Sequence, residues 1–581
     1  MGKLRAILDK RFSEKKYPNP KAPEVAEKNA DGRRLFEHEY LGKAYPWVLA
    51  GKSLSLTGRD NLYCTHAPFN RDIVVGKFPK WKKEDFPFDE FLRDVREAGL
   101  NFFKTVNRGR RIKLLLEISK IVEERFWLLC AAKMYETGQS LAEAIGETDE
   151  EVDFPLATAM YLEEIHEDLL LRSPSWSGDY NGKRYVPHGT FLNIEPFNFP
   201  GAIPMDMAVK ALAMGNAVIM KPSDKSSLCG YLVYESVVLA FQRLGIPHES
   251  VVNYCPGGPE VVDMLLQSPD IAGVSFTGSS AALDEIKRKH GTMLRNKFRG
   301  KSPLAFGSAE TSGVNVSVVW KDANISYAAA ECAKSFLGRS GQKCSSARVI
   351  MVHKDMYDSF SRALEKEVEK VRFGNVLDGA DLGPVITPQA EQTICERMDE
   401  LTCHDITTRR YVKLSNVMLS PGLSLNTLPT ILYAREPSFT REGAEVDAHT
   451  LMNTEIFGPV TTVVSVPDLA TVKKLCNFSE FALTGTSFTN DPEFALELAD
   501  IIPAGNLYFN RKCTGALVDS ECFGGLSSRS SPTGVKGKNA LVLFGSQQTI
   551  SGFYPTSWSW SQQDEFIYRM GNELNYVFSK I

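Results

Sequence analysis

The sequence contains no apolar run of the roughly 18 residues that a membrane-spanning helix needs, and its start, MGKLRAILDKRF, lacks the apolar stretch of a secretory signal. Its 11 cysteines include no CxxC pair, so neither a zinc site nor a disulfide framework is indicated and no metal is expected. Neither sign of charge dominates: 67 Lys and Arg stand against 71 Asp and Glu, a net charge of -4. That balance leaves no electrostatic footprint for nucleic acid or an anionic membrane. Internal repeats and low-complexity stretches are missing too, and 43% hydrophobic with 24% charged residues is ordinary globular usage. What remains is a folded chain of 581 residues, too long for one core, expected to form two or three domains inside the cell or an organelle.

Along the chain, residues 1–60 are polar and interrupted by proline, and read as an irregular arm. From Phe88 to Met160 apolar residues recur every three or four positions, the pattern of amphipathic helices. Residues 175–196 show turn chemistry between short strand-like runs and read as a hairpin. Strands and helices then alternate: FLNIEP, PMDMAVKALAMG, AVIMKPS, YLVYESVVLAFQRLG, VVNYCPG, VVDMLLQ and IAGVSFTGS. This α/β rhythm predicts a doubly wound parallel sheet with a ligand, by default a nucleotide, beyond the strands' carboxyl ends. A second α/β unit with its own core is expected from about residue 310, in VNVSVVW, SYAAAECAKSFLG and ARVIMVHK. Residues 391–446 are the least regular and read as an elaborated surface.

One cysteine has surroundings suited to chemistry. Cys344 lies in GRSGQKCSSARVI, between a helix and a strand, where Gly338 and Gly341 permit close backbone approach to a ligand and Lys343 favours the thiolate. The plain alternative is a small buried hydrophobe. SGQKCS, together with EPFNFP at 195–200, MKPSD at 220–224, FTGS at 276–279, AETSG at 309–313, EIFGPV at 455–460 and FGG at 523–525, resembles the aldehyde dehydrogenase superfamily, in its usual motif order over about residues 60–550. NRKCTGALV at 510–518, SGQKCS and Phe197 are similar to the branch that oxidises glutamate γ-semialdehyde, or 1-pyrroline-5-carboxylate, to glutamate in proline breakdown.

The resemblance implies a Rossmann-type NAD-binding domain over 61–174 and 197–309, a second α/β catalytic domain over 310–541, and a bridging hairpin with a C-terminal extension over 175–196 and 542–581. It makes Cys344 the nucleophile, Glu310 the general base and Asn198 an oxyanion donor beside the Cys344 backbone N–H. Lys221 and Asp224 would hold the adenosine ribose, Glu455 the nicotinamide ribose, Phe457 would pack beside the nicotinamide and Ser279 lie by the pyrophosphate, with NAD favoured over NADP. Ser345, Gly515 and Ala516 would anchor the substrate carboxylate, and Phe199 and Phe523 would sandwich its aliphatic chain, although either ring could be plain core. Ser312, Cys522 and the segment SSRSSPTGVKGKNA depart from the usual pattern.

Partners implied are a small aldehyde and further copies of the chain, as a homodimer or larger homo-oligomer. Another semialdehyde as substrate, or a catalytically silent relative kept as a scaffold, are the rival readings; retention of Asn198, Glu310 and Cys344 together speaks against silence. For location, a mitochondrial matrix or cytoplasmic protein is expected. Asp9 and Glu14 are unlike an acid-poor transit peptide, and Ser579, Lys580 and Ile581 are close to a peroxisomal SKL ending.

Overall fold

A computed structural model of the chain describes residues 2–14, 18–165, 179–290, 305–402, 407–410, 417–418, 428–434, 447–533 and 537–553. The terminal Ser579, Lys580 and Ile581, and parts of the 391–446 segment, lie outside these residues.

Two seven-stranded sheets organise the molecule. In the first, five parallel strands stand in the order Ala305–Glu310, Ile271–Thr277, Thr190–Ile194, Ala217–Lys221, Val252–Tyr254. Chain order reverses between Thr190–Ile194 and Ile271–Thr277, and this switch point opens a crevice at their carboxyl ends. Both strands of that pair are buried almost throughout, as expected of β-branched and aromatic runs covered on two faces. The second sheet runs Thr407–Arg410, Thr430–Ala434, Val460–Val466, Ala347–His353, Asn315–Val319, Thr484–Phe488, Asn506–Phe509, parallel except for its first pair. It has its own apolar clusters, one around Val316, Leu432 and Val464 and another around Phe336, Ile350 and Phe360. The predicted α/β architecture is therefore present in both units.

Two expectations are corrected. Residues 1–60 are not an irregular arm: Gly2–Glu14 and Pro23–Glu39 are helices, and Trp47–Leu49 with Lys52–Leu54 extend the first sheet antiparallel to Val252–Tyr254. Pro23 opens its helix, where its missing N–H costs nothing. The buried stripe of that helix is Val25, Asn29, Gly32 and Phe36. Only two of these four are apolar, which hides the helical period. Gly32 lets the helix press on the Trp127 backbone, where a Cβ would overlap, and Phe36 packs on Tyr135 at 5.1 Å between ring centroids.

The 175–196 hairpin is the second correction. Asp179–Pro187 does not pair with Thr190–Ile194 but with Gly545–Phe553, antiparallel from Gly545↔Pro187 to Phe553↔Asp179. Thr190–Ile194 instead enters the first sheet between Ala217–Lys221 and Ile271–Thr277. The turn at His188 and Gly189 was legible, but it redirects the strand rather than folding it back. Residues 175–178 lie outside the described part. The helices of 88–164 are present as Phe88–Thr105, Arg108–Glu124, Phe126–Thr137 and Leu141–Glu164. The third is buried along ten of its twelve residues, so it is a core helix rather than an amphipathic one.

Candidate active site

Cys344 stands at the meeting of two cavities and contributes to the wall of both. It follows the short Gly338–Gly341 turn and precedes the Ala347–His353 strand. Three successive residues of that turn, Arg339, Ser340 and Gly341, have φ of 56°, 53° and 68°, a left-handed run that only glycine adopts without cost. Gly341 is fixed twice over, because a Cβ there would overlap the carbonyl of Gly458 in EIFGPV. The close approach expected of this glycine is thus to neighbouring backbone, not to a ligand, and Gly338 has an ordinary φ of -48°.

Two side chains that sequence reading missed pin the loop after the turn. Asn315 Nδ2 donates to the Cys344 carbonyl at 2.6 Å and to the Ser346 carbonyl at 2.9 Å. Arg348, buried, donates to the carbonyls of Gly341 at 2.7 Å, Lys343 at 3.2 Å and Gly458 at 2.9 Å. Neither residue carried a motif signal. Asn198, expected as oxyanion donor, is buried, and its amide donates to the Gln342 carbonyl at 2.9 Å. A primary amide has two N–H groups, and Asn198 lines the larger cavity together with Cys344. Glu310 ends the Ala305–Glu310 strand at 2% exposure. It is not among the residues that line either cavity, whereas its neighbours Thr311 and Ser312 line the larger one.

The larger cavity, about 580 Å³, lies at the switch point of the first sheet. All five residues expected to hold the cofactor line it: Lys221, Asp224, Ser279, Glu455 and Phe457. Ser279 Oγ accepts from the Ala282 N–H at 3.2 Å and so caps the Ser280–His290 helix, whose amino end faces the crevice. Burial pushes Lys221 down to about 8, against the pull of Asp224 and Glu195. Burial likewise raises the Glu455 carboxyl, opposed by Arg348 and by the Gly313 N–H, which donates to it at 3.0 Å. Glu195, missed by sequence reading, is a further buried carboxyl in this wall, pushed well up by burial with Lys221 alone opposing. An ammonium with carboxyls at one end and a carboxyl with an aromatic ring at the other fit the two ribose diols and the ring of a dinucleotide. NAD is the group these residues suit.

The smaller cavity, about 120 Å³, holds all five residues expected for the substrate: Ser345, Gly515, Ala516, Phe199 and Phe523. The 510–518 loop is held from below, the Lys512 N–H donating to Glu331 at 2.9 Å and the Cys513 N–H to Ser335 Oγ at 3.1 Å. The Leu141–Glu164 helix supplies the opposite wall with Glu150, Phe154 and Tyr161. Behind that wall lies a charge network that sequence reading missed. The ammonium of Lys343, the residue expected to favour the thiolate, pairs with Glu143 at 2.8 Å. Although burial opposes it, Lys343 and Arg339 together bring Glu143 down to about 2. Glu147 receives Arg339 at 3.0 Å and the N–H groups of Gly201 and Ala202 at 2.8 and 3.2 Å. Glu150, buried beside Glu147, is pushed up to about 8.

Of the departures from the usual pattern, Cys522 lines the smaller cavity, while Ser312 and part of the segment after FGG are tied into the local hydrogen bonding. Ser312 Oγ accepts from the Ser280 N–H at 3.3 Å. In the segment after FGG, Ser530 donates to the Ser312 carbonyl at 3.0 Å and its carbonyl accepts from Thr311, while Ser531 Oγ accepts from Gly525 at 2.6 Å. Among the described residues there is no cluster of three or more His, Cys, Asp or Glu that could hold a metal ion, and no helix long and apolar enough to cross a membrane.

The chain matches the Aldehyde dehydrogenase family profile over residues 58–549. It is 29% identical over 538 residues to the 1-pyrroline-5-carboxylate dehydrogenase of Bacillus subtilis, covering 91% of this chain and 97% of that protein. The structure of 1-pyrroline-5-carboxylate dehydrogenase from Thermus with bound NAD superposes with a TM-score of 0.80 at 26% identity, over 93% of this chain and 98% of that one. Proline utilization A from Bdellovibrio bacteriovorus gives a TM-score of 0.81 at 25% identity, over 94% of this chain and 54% of that chain.

Proposed function

The chain belongs to the aldehyde dehydrogenase family, and from that premise we propose that it oxidises L-glutamate γ-semialdehyde to L-glutamate with NAD, through a thioester on Cys344. One observation carries the reading. Cys344 is the junction of two cavities, with every expected cofactor residue on one side and every expected substrate residue on the other. The relatives named for 1-pyrroline-5-carboxylate, and the Thermus protein with bound NAD, support it.

In this mechanism the Cys344 thiolate attacks the aldehyde carbon, forming an S–C bond and placing negative charge on oxygen. The Cys344 N–H and the second amide hydrogen of Asn198 receive that oxyanion. NAD, when bound, supplies the acceptor for the hydride that leaves the same carbon. The resulting thioester is cleaved by water: its oxygen bonds to the carbon, one proton passes to Glu310, and the S–C bond breaks to return Cys344. Lys221, Asp224 and Glu455 orient the cofactor by its ribose hydroxyls. Ser345 and the N–H groups of Gly515 and Ala516 hold the α-carboxylate, which places the aldehyde at sulfur.

The test is Ala516→Pro, which deletes one backbone donor. KM for glutamate semialdehyde should rise far more than KM for a simple aliphatic aldehyde, measured by NADH formation. Equal effects on both would remove the carboxylate anchor, and with it the substrate assignment. We also read the ribbon of Asp179–Pro187 with Gly545–Phe553 as a subunit bridge. A two-stranded sheet is marginal alone, and its Ser546–Thr549 stretch is exposed. A monomeric mass by light scattering would overturn that reading.

A further inference from the structure

Arg339 is buried at 5% exposure in the turn before the nucleophile, and its backbone is in the left-handed region, φ 56° and ψ 37°. An arginine there strains the backbone, so something in the fold must hold it. Its guanidinium does so by four contacts. It donates to the backbone carbonyl of Asn198 and pairs with Glu147 Oε2 at 3.0 Å. It lies over the Phe199 ring at 3.8 Å from the centroid, and its Nε stands 3.7 Å from Glu143. Its own carbonyl accepts from the Gln342 N–H at 3.0 Å, and Gln342 in turn receives the Asn198 amide.

We infer that Arg339 is a positioning residue that sets the oxyanion donor Asn198 and the substrate-side ring of Phe199 in one rigid unit with the nucleophile turn. This deepens, and rests on, the proposed reading of Cys344 and Asn198. The logic is geometric. Asn198 can aim one amide hydrogen at the reacting oxygen only if its backbone and its other hydrogen are fixed, and Arg339 fixes the first directly and the second through Gln342. The planar guanidinium is needed, because one face stacks on Phe199 while its edge serves Asn198 and Glu147. A lysine keeps the charge but cannot do both.

Arg339→Lys is the decisive variant, with Arg339→Met as a harsher companion. For Arg339→Lys we expect kcat to fall about 10- to 100-fold with propanal and with glutamate semialdehyde alike, the scale of a small misplacement of a catalytic group. The Kd for NAD, read by fluorescence titration, should stay within about twofold, since the contacts of the Arg339 guanidinium are with Asn198, Phe199, Glu143 and Glu147 and not with Lys221, Asp224, Ser279, Glu455 or Phe457. In a double-mutant cycle, Asn198→Ala should cost little more in the Arg339→Lys background, because its aim is already lost. Additive losses, or an unchanged kcat in a folded Arg339→Lys protein, would overturn the inference. Failure of the underlying reading looks different: the unaltered protein would then oxidise no aldehyde with NAD at all.

Discussion

The two cavities that meet at Cys344 are built on opposite principles. The cofactor side is a crevice between strand ends: Asp224 is exposed, and the buried Lys221 feels Asp224, Glu195, Glu260 and the like charge of Lys225, while Lys221 alone opposes the burial of Glu195. The substrate side is backed by a closed network in which Glu143, Glu147 and Glu151 face Lys133, Arg339 and Lys343. On the proposed reading, the first is a site whose pairing a ligand would complete. The second is a scaffold already paired, which holds a small cavity in shape. Changes on the cofactor side should therefore alter binding with little loss of fold, and changes behind the substrate side should cost stability first.

Cys344 is shared, so its loss is the largest effect and falls on both sides at once. Cys344→Ala should lower kcat by about 10⁴-fold or more, the scale seen when a covalent nucleophile is removed. The Kd for NAD should hardly move, since the thiol bonds to the substrate and not to the ribose groups. A variant with turnover near that of the unaltered protein would break the comparison at its centre.

This division also decides what the sequence could tell. The switch-point strands are continuous apolar runs, and that rhythm placed a ligand beyond their carboxyl ends, but Lys221, Asp224, Ser279, Glu455 and Phe457 themselves were named through resemblance. The substrate anchors Ser345, Gly515 and Ala516 were reached only through resemblance. The network was out of reach, because Glu143 and Glu147 are four apart on one helix and look like a solvated face. Their partners Lys343 and Arg339 come from about 190–200 residues away. The Asp179–Pro187 strand was mispaired for the same reason: its partner is over 350 residues distant. The buried stripe of Pro23–Glu39 was hidden by Asn29 and Gly32, which are polar or small yet face the core.

Next in size is Glu147→Ala. It strips a buried acceptor from the Gly201 and Ala202 N–H groups and leaves the Arg339 guanidinium only the more distant Glu143 carboxylate, at 3.7 Å. Breaking one partner of a buried pair typically costs about 3–5 kcal/mol. On the cofactor side, Asp224→Asn at an exposed position should stay within about 0.5 kcal/mol. Urea unfolding of the two variants side by side checks the contrast, and equal midpoints would abolish it.

The two sides should also respond to pH with opposite sign. Burial raises the Glu195 carboxyl in the folded chain well above its unfolded value of 4.5. Folding then takes up a proton, so this group weakens the fold as pH rises above about 4.5, by up to about 1.4 kcal/mol per pH unit. Glu195→Gln cannot ionise and should remove that slope. Its midpoint relative to the unaltered protein should climb as pH rises above about 4.5 and match it below; a parallel pair of pH curves would show that burial does not raise the Glu195 carboxyl.

Glu143 is the mirror image and the smallest effect. Its carboxyl falls from 4.5 to about 2 because Lys343 and Arg339 outweigh the cost of its burial. A depressed carboxyl contributes stability that is fully present above its unfolded value and is lost as pH falls from about 4.5 toward 2. The side chain remains 25% exposed, so solvent screens the pair and the contribution is about 1 kcal/mol rather than the full shift. Glu143→Gln keeps an oxygen for the Lys343 ammonium but not the charge. At pH 7 it should lower the unfolding free energy by that amount, and the deficit should shrink as pH falls below about 4.5, the reverse of the Glu195→Gln curve. Chemical denaturation at pH 7, 5 and 4 is the measurement. A deficit that stayed constant across these pH values would mean that Glu143 acts by shape and hydrogen bonding alone, and that the substrate side is not held by charge in the way its geometry implies.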